Sequence, residues 1–221
     1  MGKLITFEGT DCSGKETQTN LIVEKLKQKG YKVAKFALPY YSSPTGQVIA
    51  GPYLGKFGEG YFKEGATNVD PYAVSLYYTA DRVYNRKLIE EALANNDVVI
   101  LDRYMHSNLA HQGSKFENKE EREKFYSFME TLEFDLLNLT KPFCTFFLHM
   151  PTDHAVELRK GRAEKADQHE SQIEYLRTTE KIYLELCERN NFIRISCVEN
   201  DKVKNIEKIN EEIFDELLNL I

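Results

Sequence analysis

The stretch Gly9-Thr10-Asp11-Cys12-Ser13-Gly14-Lys15 limits what this chain can become more than any other. A β-rich apolar run, KLITFEG at residues 3–9, leads into it. A segment with Leu21, Ile22 and Leu26 near helical spacing leads away over residues 17–29, until Gly30 stops it. A glycine loop between a strand and a helix is the setting in which this spacing binds phosphate. Glycines let backbone N–H groups turn into one concavity, and the helix N-terminus adds partial positive charge. Lys15 brings a point charge to the β- and γ-phosphates of a nucleotide. The candidate nucleotide-binding residues are therefore Gly9, Thr10, Asp11, Cys12, Ser13, Gly14, Lys15, Glu16 and Thr17.

Glu16 departs from the pattern, because a Ser or Thr hydroxyl normally follows the lysine and ligates Mg²⁺. A carboxylate is also a hard oxygen donor that Mg²⁺ accepts, but it adds negative charge beside a triphosphate. Thr17 does not simply replace the hydroxyl, since one residue turns a helix by about 100°. Three readings stand: Glu16 holds the metal directly or through water; substrate phosphates and Asp102 hold it; or activity is lost.

The remainder of the chain alternates in the same rhythm. Strand-like runs cover residues 32–38, 97–103, 143–150 and 192–198, with helical segments at 71–95, 119–139, 152–161, 170–189 and 203–220. DVVILDR (97–103) is apolar without alternation, as expected of a strand covered on both faces. The pattern predicts an α/β fold, a five-stranded parallel sheet with helices on both faces and ligands at the carboxyl ends of the strands. Residues 39–68, rich in Gly, Pro and Tyr, read as a substrate-side loop with a short helix. At 221 residues the whole chain, 1–221, reads as one domain.

Composition narrows the classes. No run of about 18 apolar residues suggests a membrane span, and the N-terminus lacks the shape of a signal peptide. Gly2 hints at myristoylation, but Thr6 sits in a strand pattern and is expected to be buried. Cys12, Cys144, Cys187 and Cys197 form no CxxC pair, which argues against a zinc site and fits a reducing cytoplasm. A net charge of −6 does not suit a nucleic-acid partner.

Strand 97–103 ends in Asp102-Arg103. An acid there can orient Mg²⁺ and its water beside the phosphate loop, and an arginine can clamp phosphate bidentately. With these blocks in place, FEGTDCSGK, YYTADR (77–82) and DRYMHSNLAHQG (102–113) together resemble the thymidylate kinase family in order and spacing. The likeness extends over almost all of the chain. It implies a P-loop NTPase fold, transfer of the γ-phosphoryl of ATP–Mg²⁺ to dTMP, and a homodimer. By position, Asp11 is placed near the acceptor sugar 3′-hydroxyl and Tyr78 at the ring that stacks on the pyrimidine. Arg82 is placed at the base or phosphates, Arg103 on the acceptor phosphate, and Ser107 and Asn108 on the base edge. His111 stands where an aromatic residue excludes ribonucleotides, and Gln112 is a further base-side candidate. Taken singly, Tyr78 could belong to the core, Ser107 could cap a helix, and Arg82 could be structural, with Asp81 beside it.

Arg159, Lys160, Arg162 and Lys165 crowd the polar segment 157–170. The resemblance makes this an arginine-rich lid that closes over ATP and delivers Arg159 or Arg162 to the developing charge; Cys12 stands where another branch of the family has arginine. Asp167 and Glu170 resemble the family's acidic pair around an arginine, but Gln168-His169 lie between them. The loop after the second strand departs too: Tyr40-Tyr41 stand where the family often carries arginine for the acceptor phosphate. Either tyrosine hydroxyls bind that phosphate or Arg82 and Arg103 carry it alone. Two alternatives to a dTMP kinase remain: a kinase for another deoxynucleotide or a nucleoside, and a non-catalytic nucleotide-binding switch. PTDHAVEL after Met150 lacks the guanine-reading motif of a GTPase.

Overall fold

The computed structural model describes residues 2–159 and 173–221. Its centre is a parallel sheet of five strands: β1 (Lys3–Glu8), β2 (Val33–Ala37), β3 (Val98–Asp102), β4 (Cys144–His149) and β5 (Ile193–Ser196). Their spatial order is β2-β3-β1-β4-β5. All neighbouring pairs are parallel. The sheet reverses its direction of growth at β1, which lies between β3 and β4, so the carboxyl end of β1 opens onto the crevice where ligands of such sheets collect.

Alternation along the strands builds two cores. Leu4, Val99, Leu101 and Phe147 face one side and pack with α4 (Arg86–Asn95), α5 (Met105–Gly113), α6 (Lys119–Glu130) and α8 (Ile173–Arg189). Ile5, Phe7, Val98, Ile100, Phe146 and Leu148 face the other and pack with α1 (Lys15–Gln28) and α9 (Ile206–Leu218). A third, smaller cluster around Ile49, Tyr53 and Val74 anchors the loop after β2. That loop holds the expected short helix, α2 (Pro44–Val48), which continues into a π-helical turn over Ile49–Tyr53. Thr6 is fully buried, as expected, and its hydroxyl pairs with that of Thr145 at 2.8 Å.

The structure corrects the expected elements in four places. The helix expected over 71–95 is two helices, α3 (Pro71–Tyr84) and α4, meeting at Asn85. Asn85 Nδ2 donates to Asp81 O at 2.8 Å and Oδ1 at 3.0 Å, and its backbone leaves the α-helical region. The helix expected from 203 begins at Ile206, where Asn205 Oδ1 accepts from Lys208 N at 2.7 Å. Lys202–Val203 instead form β7, antiparallel to β6 (Val198–Glu199). Residues 105–113, expected only to carry binding side chains, form α5. The helix expected over 119–139 turns π-helical at Thr131–Leu136, which brings Glu133 inward to full burial.

Candidate active site

The register of β1 and β3 sets Phe7 opposite Asp102, so both strands stop at the same height. Arg103 N then donates to Phe7 O at 2.9 Å, tying the two loops that follow. The phosphate loop runs from Gly9 to α1. Gly9 is a close-approach glycine: a Cβ there would lie 2.6 Å from Leu148 O, and its φ is 153°. Gly14 turns into α1 with φ 80°, and Cys12 sits at φ 62° without being glycine. No side chain caps α1, which leaves its first N–H groups for an anion. Lys15 Nζ meanwhile donates to Gly9 O (3.0 Å), Thr10 O (2.8 Å) and Ser13 Oγ (3.3 Å). This is a cradle built for phosphate, folded onto its own lysine. Burial and the neighbouring Arg103 lower the Lys15 pKa to about 8, against the opposing pull of Asp102, Asp11 and Glu8.

A cleft of about 330 Å³ opens above this loop. On the cradle side it is lined by Asp11, Cys12, Gly14, Lys15, Glu16 and Thr17; on the strand side by Asp102 and Arg103; on the far side by Tyr41, Tyr78, Arg82, Ser107, Asn108 and His111. The sequence expectation brings these residues to one cavity. Apart from the lid arginines, four predicted residues do not line it. Gly9, Thr10 and Ser13 lie beneath, holding Lys15, and Thr10 Oγ1 donates to Met150 O at 3.2 Å. Gln112 is fully buried in α5, and among the described residues neither end of its amide finds a partner. Gln112 therefore has no place in the wall: Leu109, three residues before it, already sits in the core, and the helix turns Gln112 inward on the same side.

Arg103 commands the middle of the cleft. It holds φ 70°, an uncommon left-handed setting for an arginine, at the end of β3. One Nη is paired with Asp11. The other reaches Ser107 Oγ (3.1 Å), Gly9 O (3.2 Å) and Tyr183 Oη (3.3 Å). Burial alone would lower its pKa; Asp11 and Asp102 outweigh that and raise it, so the guanidinium stays charged. Beneath it lies Glu8, fully buried, which accepts from Tyr104 N at 2.9 Å, from Ser107 Oγ and from Tyr183 Oη at 3.3 Å. Burial raises the Glu8 pKa, and Ser107, Arg103 and the Tyr104 N–H pull against the rise. Sequence reading missed Glu8, Tyr104 and Tyr183. The signal for Glu8 was available: an acid inside an otherwise apolar strand, next to a glycine loop.

Arg82 has a different setting. Its Nε donates to Glu133 Oε2 at 2.8 Å and one Nη to Oε1, while Thr79 Oγ1 donates to Oε1 at 2.7 Å. The acid beside Arg82 is thus Glu133, not Asp81. Asp81 instead ties down the loop after β2, accepting from Tyr40 N (2.8 Å), Ser43 Oγ (2.9 Å) and Thr45 Oγ1 (2.7 Å). Tyr78 stands edge-on to Tyr53, ring centroids 6.1 Å apart, and Lys56 Nζ lies 4.7 Å from the centre of the Tyr41 ring. Asn108 Oδ1 faces Ser75 Oγ at 3.4 Å, while its buried Nδ2 has no partner among the described residues. A buried donor without an acceptor on the cleft wall is what a base carbonyl would satisfy. Tyr175 Oη donates to His111 O at 2.9 Å.

The donor set fits Mg²⁺. Glu16 and Asp102 both line the cleft beside Lys15, and among the described residues no three His, Cys, Asp or Glu side chains converge on a metal site. Mg²⁺ takes one or two carboxylates and completes its shell with phosphate and water. Of the lid residues, Arg159 ends α7 (Thr152–Arg159) and is not in the cleft wall, whereas Lys160, Arg162, Lys165, Asp167 and Glu170 lie outside the described residues.

Comparisons with known proteins point to one family. The family model described as thymidylate kinase matches residues 7–213. The chain is 29% identical to a probable thymidylate kinase of Sulfurisphaera tokodaii, over all of this chain and 98% of that protein. It is 30% identical to a probable thymidylate kinase of Methanocaldococcus jannaschii, over 98% and 96% of the two chains. Among solved structures, a thymidylate kinase from Candida albicans superposes with a TM-score of 0.71 at 22% identity, covering 99% of this chain and 92% of that one.

Proposed function

The chain belongs to the thymidylate kinase family, and from that premise we propose how its residues carry out the reaction. The protein is an ATP-dependent dTMP kinase: it moves the γ-phosphoryl group of ATP onto dTMP, giving dTDP. One observation supports the division of labour best. A single cleft has the phosphate cradle on one side, the α3 and α5 side chains on the other, and Asp102-Arg103 between them.

In this proposal the N–H groups of the loop and of the α1 N-terminus bind the ATP phosphates, and Lys15 leaves its backbone carbonyls for them. Arg103 holds the acceptor phosphate while Asp11 fixes Arg103 and faces the sugar. Tyr78 stacks on the pyrimidine, Asn108 donates its unpartnered amide to the base, and Ser107 acts through Arg103 and Glu8. His111 walls off the 2′ side of the sugar. Arg82 braces the far wall. Tyr41, with Lys56 over its ring, borders the acceptor phosphate. Glu16 and Asp102 would hold Mg²⁺, whose contribution is to neutralise charge on the transferring phosphate. No nucleophilic side chain is needed, because in-line transfer depends on positioning and electrostatics. Arg159 or Arg162 supplies a further cation as charge develops; substituting the acting one by Ala lowers kcat more than ATP affinity.

We further propose a cytoplasmic homodimer. Leu76, Tyr77, Tyr84 and Leu88 on α3 and α4, with Phe128 on α6, are large apolar side chains left exposed, and this supports a second copy as the cover. Light scattering measures the mass directly, and a monomer at micromolar concentration would exclude it.

The deciding assay is coupled ADP release with Mg²⁺–ATP against dTMP, dUMP, dGMP, the ribose counterpart of dTMP, and thymidine. The expected best acceptor is dTMP. A better rate with another acceptor would point to the kinase alternatives, and ATP binding with no acceptor-dependent release to a nucleotide switch.

A further inference from the structure

His111 stands in the last turn of α5, on the cleft wall. A helix leaves its last four carbonyls without partners inside it. His111 O is served twice: Ser114 Oγ donates to it at 2.8 Å and Tyr175 Oη at 2.9 Å. Ser114, in the same turn, is enough to satisfy that carbonyl. Tyr175 comes from α8, and its hydroxyl makes a contact that Ser114 does not. Tyr175 Oη also lies 3.3 Å from Nδ1 of the His111 ring. A carbonyl only accepts, so the one phenolic proton is committed to His111 O, and Oη meets the ring as an acceptor. Nδ1 must then carry a hydrogen. Burial raises the Tyr175 pKa well above the ordinary tyrosine value, so the phenol keeps the proton that this arrangement needs. The Tyr175 and His111 ring centroids are 6.0 Å apart, and Tyr183, also on α8, meets the imidazole edge-on at 6.2 Å. One helix therefore packs two rings against the imidazole, and one hydroxyl sets its tautomer.

We infer that Tyr175 is a specificity-determining positioning residue: it fixes the His111 imidazole at the cleft wall as the Nδ1–H tautomer, and the preference for deoxyribose over ribose in the acceptor depends on its hydroxyl. The inference rests on the reading of His111 as the wall on the 2′ side of the sugar. A wall rejects an extra hydroxyl only if it does not yield. A free imidazole has two side-chain torsions through which to step back from a 2′-hydroxyl. Anchored through Nδ1, it steps back only by breaking its bond to Tyr175. Tyr175 is not in the cleft wall and acts through His111.

The test compares kcat/KM for dTMP with that for its ribose counterpart. Tyr175→Phe keeps the ring and removes the hydroxyl. The ratio should fall about tenfold, within the range that one hydroxyl commands at an enzyme site, through a gain for the ribonucleotide. The kcat for dTMP and the KM for ATP should stay within about twofold of wild type. Ser114→Ala removes only the other donor to His111 O and should leave the ratio unchanged. In His111→Ala the ratio should fall at least as far as in Tyr175→Phe, and combining the two should add nothing. Histidine ¹⁵N NMR of the nucleotide-free protein at about pH 8, above the ordinary histidine pKa, reads the tautomer directly. The His111 signal, assigned by its absence from His111→Ala, should be that of Nδ1–H in wild type and shift toward Nε2–H in Tyr175→Phe. Thermal melting shows whether each variant is folded, and the wild-type tautomer decides if Tyr175→Phe is not. An Nε2–H ring in wild type overturns the inference, as does an equal fall of the ratio in Ser114→Ala or a loss of rate shared by both acceptors. If the ratio falls in His111→Ala but not in Tyr175→Phe, only the role of Tyr175 fails. If it holds in His111→Ala, the reading of His111 as the 2′ wall fails and takes the inference with it.

Discussion

Two arginines line the same cleft, and the regions around them are built on opposite principles. Around Arg82, the wall of α3 and the π-helical turn after α6 encloses the charge: the guanidinium is 3% exposed, its partner Glu133 is 0% exposed, and Thr79 adds a further hydrogen bond to that carboxylate. Around Arg103, the carboxyl ends of β1 and β3 leave the pair open: Arg103 and Asp11 are 19% and 22% exposed, and the arginine spreads its remaining donors over a hydroxyl, a phenol and a carbonyl. A buried, bidentate pair cannot exchange its partner without stranding a charge. A partly exposed arginine at a strained φ, with Asp11 on one Nη and several weak acceptors on the other, can turn that second Nη to an incoming phosphate. In the proposed mechanism one region fixes the wall and the other handles substrate.

The sharpest way to break this contrast is to remove the acid from each pair. Glu133→Ala leaves Arg82 charged and buried, and should lower the unfolding free energy by about 4 kcal/mol in urea titration at neutral pH. Asp11→Ala should cost no more than about 1 kcal/mol, because solvent and Ser107 remain for Arg103. Similar losses from both substitutions would mean that the two pairs are equally structural.

Removing the arginines should reverse the ranking in kinetics. Arg103→Met is expected to lower kcat/KM for dTMP about 100-fold, close to 2.7 kcal/mol of transition-state stabilisation, with little change in unfolding. Arg82→Met should lose stability, while the fraction that stays folded keeps kcat/KM within about tenfold of wild type. A loss of 100-fold or more in that folded fraction would make Arg82 a substrate residue after all.

The contrast also marks what could be read in advance. The glycine loop, Asp102-Arg103 and the motif around Ser107 and Asn108 are local in sequence, and strand register alone carries them to one place. The parallel sheet followed from apolar runs whose period is set within each strand. Glu133 was not legible in the same way. It lies 51 residues beyond Arg82, in a segment that reads as a continuous amphipathic helix, and only the π-helical turn at Thr131–Leu136 swings it inward. Tyr183 likewise reads as one apolar position on the inner stripe of α8, and its hydroxyl acquires meaning only where that stripe crosses Glu8 and Ser107. Gln112 shows the converse: motif order places it among binding residues, while helical phase buries it outside the cleft wall.

Lys15 gives the smallest expected effect and the finest distinction between the two regions. Burial first and Arg103 second hold its pKa near 8 in the nucleotide-free protein. Above that pH the ammonium loses its proton, so binding of polyphosphate weakens as pH rises. The profile of kcat/KM for ATP should therefore have a descending limb near pH 8, falling tenfold per unit beyond it. The corresponding limb in kcat should sit higher, because bound phosphate favours the charged lysine. Arg103→Met removes a neighbouring positive charge and should move the kcat/KM limb upward. Arg82→Met should leave it in place, since the charge of Arg82 is already matched by Glu133. A limb that moves equally in both variants would show that the field of Arg82 reaches the cradle despite Glu133, and the division between a fixed wall and a responsive centre would then fail on electrostatic grounds even if it held in stability.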